Sequence, residues 1–245
     1  MTMIPKTIHY CWFGHNPLPR SARKCIASWR KYLPDYEIRE WNENNFDVNV
    51  VPYTAQAYTL GKYAFVSDYA RFWILYREGG LYFDTDVEVI RPLDDLIAQG
   101  VFMGIEQSAH LVGVNPGLGL AAEPYHPFFR EVLEHYATLV FTDAAGVPLP
   151  GTVVSHTTDC LRPHGWVAEN RYQQVAGLHI YPNDYFNPLD DATGRLIITP
   201  NTRSVHWYAK TWVPHYGPVR RWVTRRVHRL FGVGSLTWLK RFIRI

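Results

Sequence analysis

The stretch that most constrains the fold is residues 64–90, where a helical pattern, two glycines and an extended pattern follow one another. Ala64–Arg77 is dominated by apolar residues and predicts a buried helix. Gly79 and Gly80 then end that helix, because glycine readily terminates helices and turns the chain. Leu81–Ile90 (LYFDTDVEVI) predicts an extended segment interrupted by two aspartates. A helix that returns directly into a buried strand indicates a layered α/β domain.

The same alternation continues along the rest of the chain. Strands are predicted at Thr7–Phe13, Tyr36–Trp41, Val101–Ile105 and Gly177–Tyr181, and helices at Leu18–Lys31 (with Ser21 as N-cap) and Pro127–Val140. With 47% hydrophobic residues in 245, the chain can bury a sizeable core. We expect an α/β fold with a mostly parallel central sheet and helices on both faces, formed by residues 1–217.

The charge is unevenly distributed. Residues 192–245 hold 11 Lys and Arg and no acidic residue, whereas residues 1–191 hold 14 basic and 22 acidic residues. From Pro218 an apolar helical stripe alternates with arginines, although Arg226 falls on the stripe. Arg-rich, Trp-bearing amphipathic helices tend to lie in membrane interfaces. We therefore expect residues 218–245 to form a basic amphipathic tail on an anionic membrane surface. Packing of this tail on the domain is the alternative, and nucleic acid is not expected as a partner.

The remaining compositional features bear on location. Cys11, Cys25 and Cys160 have neither metal-ligand nor disulfide spacing, which favours a reducing compartment. The first residues lack the apolar stretch of a signal peptide, and no run approaches the roughly 20 apolar residues of a membrane-spanning helix. We expect a cytoplasmic protein, peripherally associated with the inner face of the cell membrane.

Asp84 and Asp86 are the first candidate site residues. In an extended chain alternate side chains point to one face, so these carboxylates are predicted to converge. Two converging carboxylates repel each other unless a cation lies between them. Mn²⁺ and Mg²⁺ prefer such oxygen ligands and leave positions for phosphate and water. A solvated turn is the alternative interpretation of the same triplet.

A second candidate is the pair Asp68 and Arg71, three residues apart on one face of the predicted helix. The rest of that helix is apolar, and a buried charged pair is costly unless it is well bonded. Either the two form a structural salt bridge, or they hold polar groups such as sugar hydroxyls at the edge of a pocket.

The segments IPKTIHYCWFG (4–14) and SDYARFWILYREGGLYFDTDVEVIRPLD (67–94) resemble the DxD-containing sugar transferases, glycosyltransferase family 32-like. Relatives in that family include the yeast initiating mannosyltransferase, bacterial capsule and lipopolysaccharide glycosyltransferases and, more distantly, the clostridial toxin catalytic domains. The resemblance covers about residues 4–106 and reappears near 204–213. It implies a GT-A type fold and a retaining, metal-dependent transfer of a hexose or N-acetylhexosamine. The donor is expected to be a nucleotide-diphosphate sugar, a UDP-sugar in preference to GDP-mannose. The acceptor is expected to be a glycan or lipid-linked glycan of bacterial surface polysaccharide biosynthesis.

The resemblance also implies roles for individual residues. Trp12 would stack on the donor base, and Asp68 and Arg71 would hold donor-sugar hydroxyls. Asp84 would bond the ribose or the sugar and reach the Mn²⁺ or Mg²⁺ ion through water. Asp86 would bind that ion directly.

A short motif near the C-terminus carries the rest of the family pattern, with Thr211 in place of the usual serine. His206 would approach the metal or the diphosphate. Thr211 and Trp212 would donate hydrogen bonds to the phosphates, and Lys210 would add positive charge there. A core histidine beside aromatic residues is the alternative interpretation of His206.

The middle of the chain is less informative. Asn115 stands where relatives have an asparagine that faces the sugar. Glu106, at the end of a predicted strand, either lies near the reacting carbon or is a plain surface glutamate. His156 either faces the acceptor or is a plain structural histidine. Two rival functions stay open at this point: a metal-dependent phosphodiesterase or nuclease, and a non-catalytic, membrane-tethered glycan-binding module.

Overall fold

Strands and helices alternate along the chain in the computed structural model, which describes residues 3–108, 111–209 and 218–233. The strands are β1 Thr7–Cys11, β2 Glu37–Trp41, β3 Gly80–Tyr82, β4 Val87–Val89, β5 Phe102–Gln107, β6 Val112–Asn115, β7 Leu120–Ala122, β8 Gln173–Val175, β9 Leu178–Tyr181 and β10 Ser204–His206. The helices are α1 Arg20–Tyr32, α2 Pro52–Thr59, α3 Tyr63–Glu78, α4 Asp94–Ile97, α5 Pro127–Ala137, α6 Val153–Leu161, α7 Asn183–Phe186 and α8 Pro218–Phe231.

The central sheet has the strand order β2-β1-β3-β7-β5-β9-β8, and β6 pairs with the second half of β5. Strands β2, β1, β3, β5 and β9 run in one direction, because β1 pairs in parallel with β2 and β3, and β5 pairs in parallel with β9. The antiparallel strand β7 joins these two parallel groups. The predicted mostly parallel sheet is confirmed, with antiparallel strands in the middle and at the edge.

Helices cover both faces of the sheet, as predicted. Because side chains alternate along a strand, Ile8 packs toward α1 whereas Cys11 packs toward α3. The first face is completed by α4, α7 and a small antiparallel sheet of β4 and β10. The second face holds α2, α3, α5 and α6. The predicted division of the chain into 1–217 and 218–245 stays a prediction, although α8 begins at its boundary.

Two local predictions are wrong. Leu81–Ile90 is not one extended segment: β3 ends, the chain turns at Asp84, and β4 joins the small sheet. The apolar residues on either side of the aspartates belong to two different ladders, which an extended pattern does not reveal. Ser21 lies inside α1, and Pro19 precedes the helix in extended conformation, so the predicted serine cap is absent.

The three cysteines are buried and free. In the parts of the chain with a described structure, no helix combines the length and the apolar character needed to cross a membrane.

Trp29 ties α1 to the small sheet, and its replacement tests this packing. Its ring is fully buried beside Phe83, and its Nε1 donates a hydrogen bond of 2.8 Å to the carbonyl oxygen of Val87. We expect Trp29→Phe to lower the free energy of unfolding by about 2 kcal/mol, because it removes this bond and leaves a small cavity. Urea denaturation measures the change. Trp222→Phe, at an exposed tryptophan, is the control, and equal effects of the two substitutions would contradict this account.

Candidate active site

Asp84 and Asp86 lie at the junction of the two sheets. The backbone N–H of Val87 donates to the carbonyl oxygen of Asp84 at 3.0 Å, which closes a tight turn between β3 and β4. The N–H of Asp84 donates to the carbonyl oxygen of Gly117, also at 3.0 Å. The turn gives the two carboxylates different partners, but they stay close enough for the charge of Asp86 to raise the pKa of Asp84. Their predicted convergence on one cation stays a prediction.

Asp84 joins Asp68 and Arg71 in one cluster. Arg71 Nη2 lies 2.9 Å from Asp68 Oδ1 and 3.2 Å from Asp84 Oδ1. The hydroxyl of Tyr82 donates to Asp84 at 3.1 Å, and Arg71 Nε donates to the carbonyl oxygen of Ser67 at 3.0 Å. The predicted pairing of Asp68 with Arg71 is confirmed. The bond from Arg71 to Asp84 was missed, because a helix and a strand end thirteen residues apart give no periodic signal.

Two carboxylates share a single guanidinium in this cluster, which shifts their protonation. Burial raises the pKa of Asp68 to about 7, although the charge of Arg71 opposes the rise. Burial and the charge of Asp86 likewise raise the pKa of Asp84, again opposed by Arg71. The excess of acceptor oxygens favours a ligand that brings hydroxyl donors or positive charge.

The loop after β6 packs closely against the same cluster. Gly117 lies so close that a Cβ at this position would overlap the Asp84 carboxylate and approach Arg71 Nη1 to 2.9 Å. Its N–H donates to Asn115 Oδ1 at 2.7 Å. Asn115 was predicted as a site residue and lies beside the cluster, whereas the requirement for glycine at 117 was missed.

Asp86, the last residue before β4, contacts His206 of β10. The β4–β10 ladder pairs Val87 with His206, and this register brings His206 Nε2 to 3.2 Å from Asp86 Oδ1. The N–H of Ala209 donates to Asp86 Oδ2 at 2.7 Å, and that of Trp207 donates to the Asp86 carbonyl oxygen at 3.0 Å. The structure thus places His206 against Asp86. Metal binding by either residue stays a prediction.

The pair is electrostatically coupled. Burial alone would lower the pKa of His206, but the charge and the hydrogen bond of Asp86 raise it to about 9. Burial alone would raise the pKa of Asp86, but the charge and hydrogen bond of His206, together with the N–H of Ala209, lower it. The protein without ligands therefore holds a carboxylate and an imidazolium at neutral pH.

These groups fit a hard divalent cation that takes further ligands from its substrate. Carboxylate oxygens and an imidazole nitrogen are ligand types for Mn²⁺, and Nδ1 of His206 is buried without a partner among the described residues. Within ranges 3–108, 111–209 and 218–233, no three His, Cys, Asp or Glu side chains are grouped closely enough to hold a metal ion. A cation here would need oxygens from a bound diphosphate or from water to complete its shell.

A second hydrogen-bond network connects the two halves of the site. Glu106 accepts from Asn115 Nδ2 at 2.6 Å and from the hydroxyl of Tyr208 at 3.3 Å. Asn187 donates to the same hydroxyl at 2.7 Å. Tyr208 has a left-handed backbone (φ 51°), rare for a large residue, and its ring centroid lies 4.1 Å from that of His206. The roles of Asn187 and Tyr208 were missed, since neither matches a motif.

The remaining predicted residues have mixed outcomes. Trp12 is half-buried just after β1, and its Nε1 donates to the carbonyl oxygen of Asn16 at 2.6 Å; its stacking role stays a prediction. Lys210, Thr211 and Trp212 lie outside the described residues. His156 lies on α6, where its Nδ1 is 3.1 Å from His135 Nε2.

Comparisons with known proteins bear on this region. Residues 19–103 match the family described as "Glycosyltransferase sugar-binding region containing DXD motif". Inositol phosphoceramide mannosyltransferase 1 of Schizosaccharomyces pombe is 27% identical over 146 residues, 55% of this chain and 43% of that protein. The uncharacterized glycosyltransferase L373 of Acanthamoeba polyphaga mimivirus is 27% identical over 143 residues, 54% of this chain and 55% of that protein. The chain thus spans about half of the length of these curated relatives.

Two solved structures with partial similarity to this chain are glycosyltransferases. The PaToxG glycosyltransferase has a TM-score of 0.47 at 18% identity, covering 65% of this chain and 69% of that chain. The galactosyltransferase LgtC, in complex with donor and acceptor sugar analogues, has a TM-score of 0.43 at 14% identity, covering 89% and 95%. The predicted resemblance to the DxD sugar transferases is confirmed by the family match over residues 19–103. That region contains Asp68, Arg71, Asp84 and Asp86.

The Asp86–His206 pair predicts a pH dependence of stability. The pKa of His206 in the folded protein, about 9, exceeds its ordinary value of 6.5. Its contribution is therefore fully present below about pH 6.5 and is lost as the pH rises through 9. Between these pH values we expect wild-type stability to fall by on the order of 1–3 kcal/mol more than that of His206→Gln. Urea unfolding without divalent cations measures both slopes, and identical slopes would contradict the coupling.

Proposed function

We propose that this protein is a metal-dependent, retaining glycosyltransferase of GT-A type. It would move a hexose or N-acetylhexosamine from a nucleotide-diphosphate sugar to a glycan or lipid-linked glycan acceptor. One observation carries the proposal: a single tight turn joins the Asp68–Arg71–Asp84 cluster to the Asp86–His206 pair. The family match supports it, because the cluster and Asp86 lie within the matched residues.

The cluster is suited to hold the donor sugar. The carboxylates of Asp68 and Asp84 are acceptors, and sugar hydroxyls are donors. Arg71 is anchored by three hydrogen-bonded neighbours, so it fixes both carboxylates in position before the donor arrives. Such preorganisation lowers the cost of orienting the sugar for reaction.

The Asp86–His206 pair is suited to the diphosphate. A divalent cation held there would act as a Lewis acid on the leaving nucleoside diphosphate. His206 would bind that cation as a neutral imidazole, so it would give up the proton that it holds beside Asp86 in the protein without ligands. Lys210, Thr211 and Trp212 are proposed to supply further donors, and Trp12 to stack on the base.

The proposed chemistry is a front-face substitution. The bond from the anomeric carbon to the phosphate oxygen breaks, the bond to the acceptor oxygen forms on the same face, and the acceptor proton passes to the departing phosphate. Glu106 borders this region, where Asn115 and Tyr208 hold its carboxylate in place. The carboxylate is positioned to stabilise positive charge that develops on the sugar ring.

For the donor and the acceptor, only the chemical class is proposed. Several curated relatives are named inositol phosphoceramide mannosyltransferases, and that name supports a hexose donor and a lipid-borne acceptor here. We retain a UDP-sugar as the first donor to test and GDP-mannose as its competitor. The setting proposed is surface polysaccharide synthesis at the inner face of a bacterial membrane.

Asp86→Asn tests the diphosphate side. We expect donor hydrolysis and sugar transfer to be at least about 100-fold slower, since the substitution weakens both the binding of the cation and the interaction with His206. The stabilisation by Mn²⁺ with UDP or GDP in thermal unfolding should also be lost, which gives a readout independent of activity. Asp159→Asn, an identical change at an exposed surface aspartate, is the control. Full activity of Asp86→Asn would remove the mechanism.

Trp12→Leu tests recognition of the base. If the indole stacks on the base, UDP or GDP should bind about 5- to 100-fold more weakly, as expected for the loss of one stacking contact. Binding of inorganic pyrophosphate with Mn²⁺ should not change, because it has no base. Isothermal titration measures both ligands. Unchanged nucleotide affinity, or equal weakening of pyrophosphate, would argue against stacking. Whichever of UDP and GDP binds wild type with the higher affinity identifies the donor nucleotide.

A further inference from the structure

Helix α8 is attached to the domain by its polar side. Arg225 Nη2 lies 3.0 Å from Asp191 Oδ1, and Arg225 Nε donates to the Asp191 carbonyl oxygen at 3.0 Å. His228 Nδ1 and Arg229 Nη2 donate to the carbonyl oxygens of the next two residues of the same loop, at 3.1 and 3.0 Å. Arg225, His228 and Arg229 therefore hold the helix on the domain.

The apolar side of α8 faces outward. Trp222 is 61% exposed, and Leu230 and Phe231 are each 74% exposed. With 3.6 residues per turn, Leu230 lies on the side of the helix roughly opposite Arg225 and His228. Packing of the apolar stripe on the domain, the alternative considered from the sequence, is excluded for these three residues.

The three exposed apolar side chains of α8 define one surface feature. We name Trp222, Leu230 and Phe231 the outer apolar face. Large exposed apolar side chains grouped on one helix mark an interaction site, because exposing them to water is unfavourable.

The charges around the outer apolar face indicate what covers it. Arg226 is exposed beside it and lies over the ring of Trp222 at 5.4 Å. The sequence holds no acidic residue after Asp191. A second copy of this tail would bring like charges together, whereas an anionic surface complements them.

We propose that the outer apolar face of α8 docks on the surface of an anionic phospholipid bilayer. Trp222, Leu230 and Phe231 enter the headgroup boundary, and Arg226 contacts lipid phosphates. The polar anchor at Asp191 fixes the orientation of the domain relative to the bilayer. This proposal does not depend on the proposed transferase activity, because it concerns binding alone.

Vesicle co-sedimentation of the full chain tests the proposal. The variant Trp222→Ser/Leu230→Ser/Phe231→Ser should bind vesicles of phosphatidylcholine and phosphatidylglycerol at least about tenfold more weakly than wild type. The control Leu60→Ser/Val140→Ser/Val147→Ser removes three exposed apolar side chains elsewhere and should bind like wild type. Thermal unfolding verifies that both variants fold.

Arg226→Glu provides a second, independent variant. Since one basic residue near an anionic surface contributes about 1 kcal/mol, charge reversal should weaken binding about tenfold. Vesicles of pure phosphatidylcholine should bind wild type more weakly, and added salt should weaken binding to the anionic vesicles.

Several results would overturn the proposal. They are failure of wild type to bind anionic vesicles, equal binding by the apolar triple variant, or equal binding to neutral and anionic vesicles. Light scattering tests the remaining alternative, that a second copy of the chain covers the outer apolar face. If wild type is a dimer and the apolar triple variant is a monomer, that alternative is correct and the proposal is overturned.

Discussion

The buried guanidinium of Arg71 is the contact on which the site depends. It bonds Asp68 on its own helix and Asp84 at the end of β3, so it fixes α3 against the sheet at one point. Two carboxylates this close would repel each other without it, and the guanidinium would be costly to bury without them. With Asp84 held in place and Gly117 in close contact with it, the chain turns there, and Asp86 contacts His206.

The junction of two sheets explains the division of the site. The central sheet delivers Asp84 and the loop 115–117, and the small sheet delivers Asp86 and His206. The hydrogen bonds of Tyr208 with Glu106 and Asn187 connect the two regions. The Asp84 cluster and the Asp86–His206 pair thus belong to different sheets, although Asp84 and Asp86 lie in one turn.

The sequence predicted the layers well and the local geometry less well. Strong periodic signals located α1, α3, α5 and the strands β1, β2, β5 and β9 to within a few residues. The turn at Asp84 was missed, because LYFDTDVEVI is apolar on both sides whether it forms one strand or two. Asp68 and Arg71 were found since their helical spacing is local. Tyr208 and Asn187 were not, because the bonds of Tyr208 to Glu106 and to Asn187 depend on tertiary structure alone.

The β4–β10 ladder has a consequence for how the protein becomes competent during synthesis. Asp86 and Ala209, which bond each other, are separated by 123 positions in the chain. The ribosome must therefore complete most of the polypeptide before Asp86 meets its partners, whereas Asp68, Arg71 and Asp84 emerge together early. A nascent chain would therefore form the Asp68–Arg71–Asp84 cluster long before Asp86 could meet His206 and Ala209.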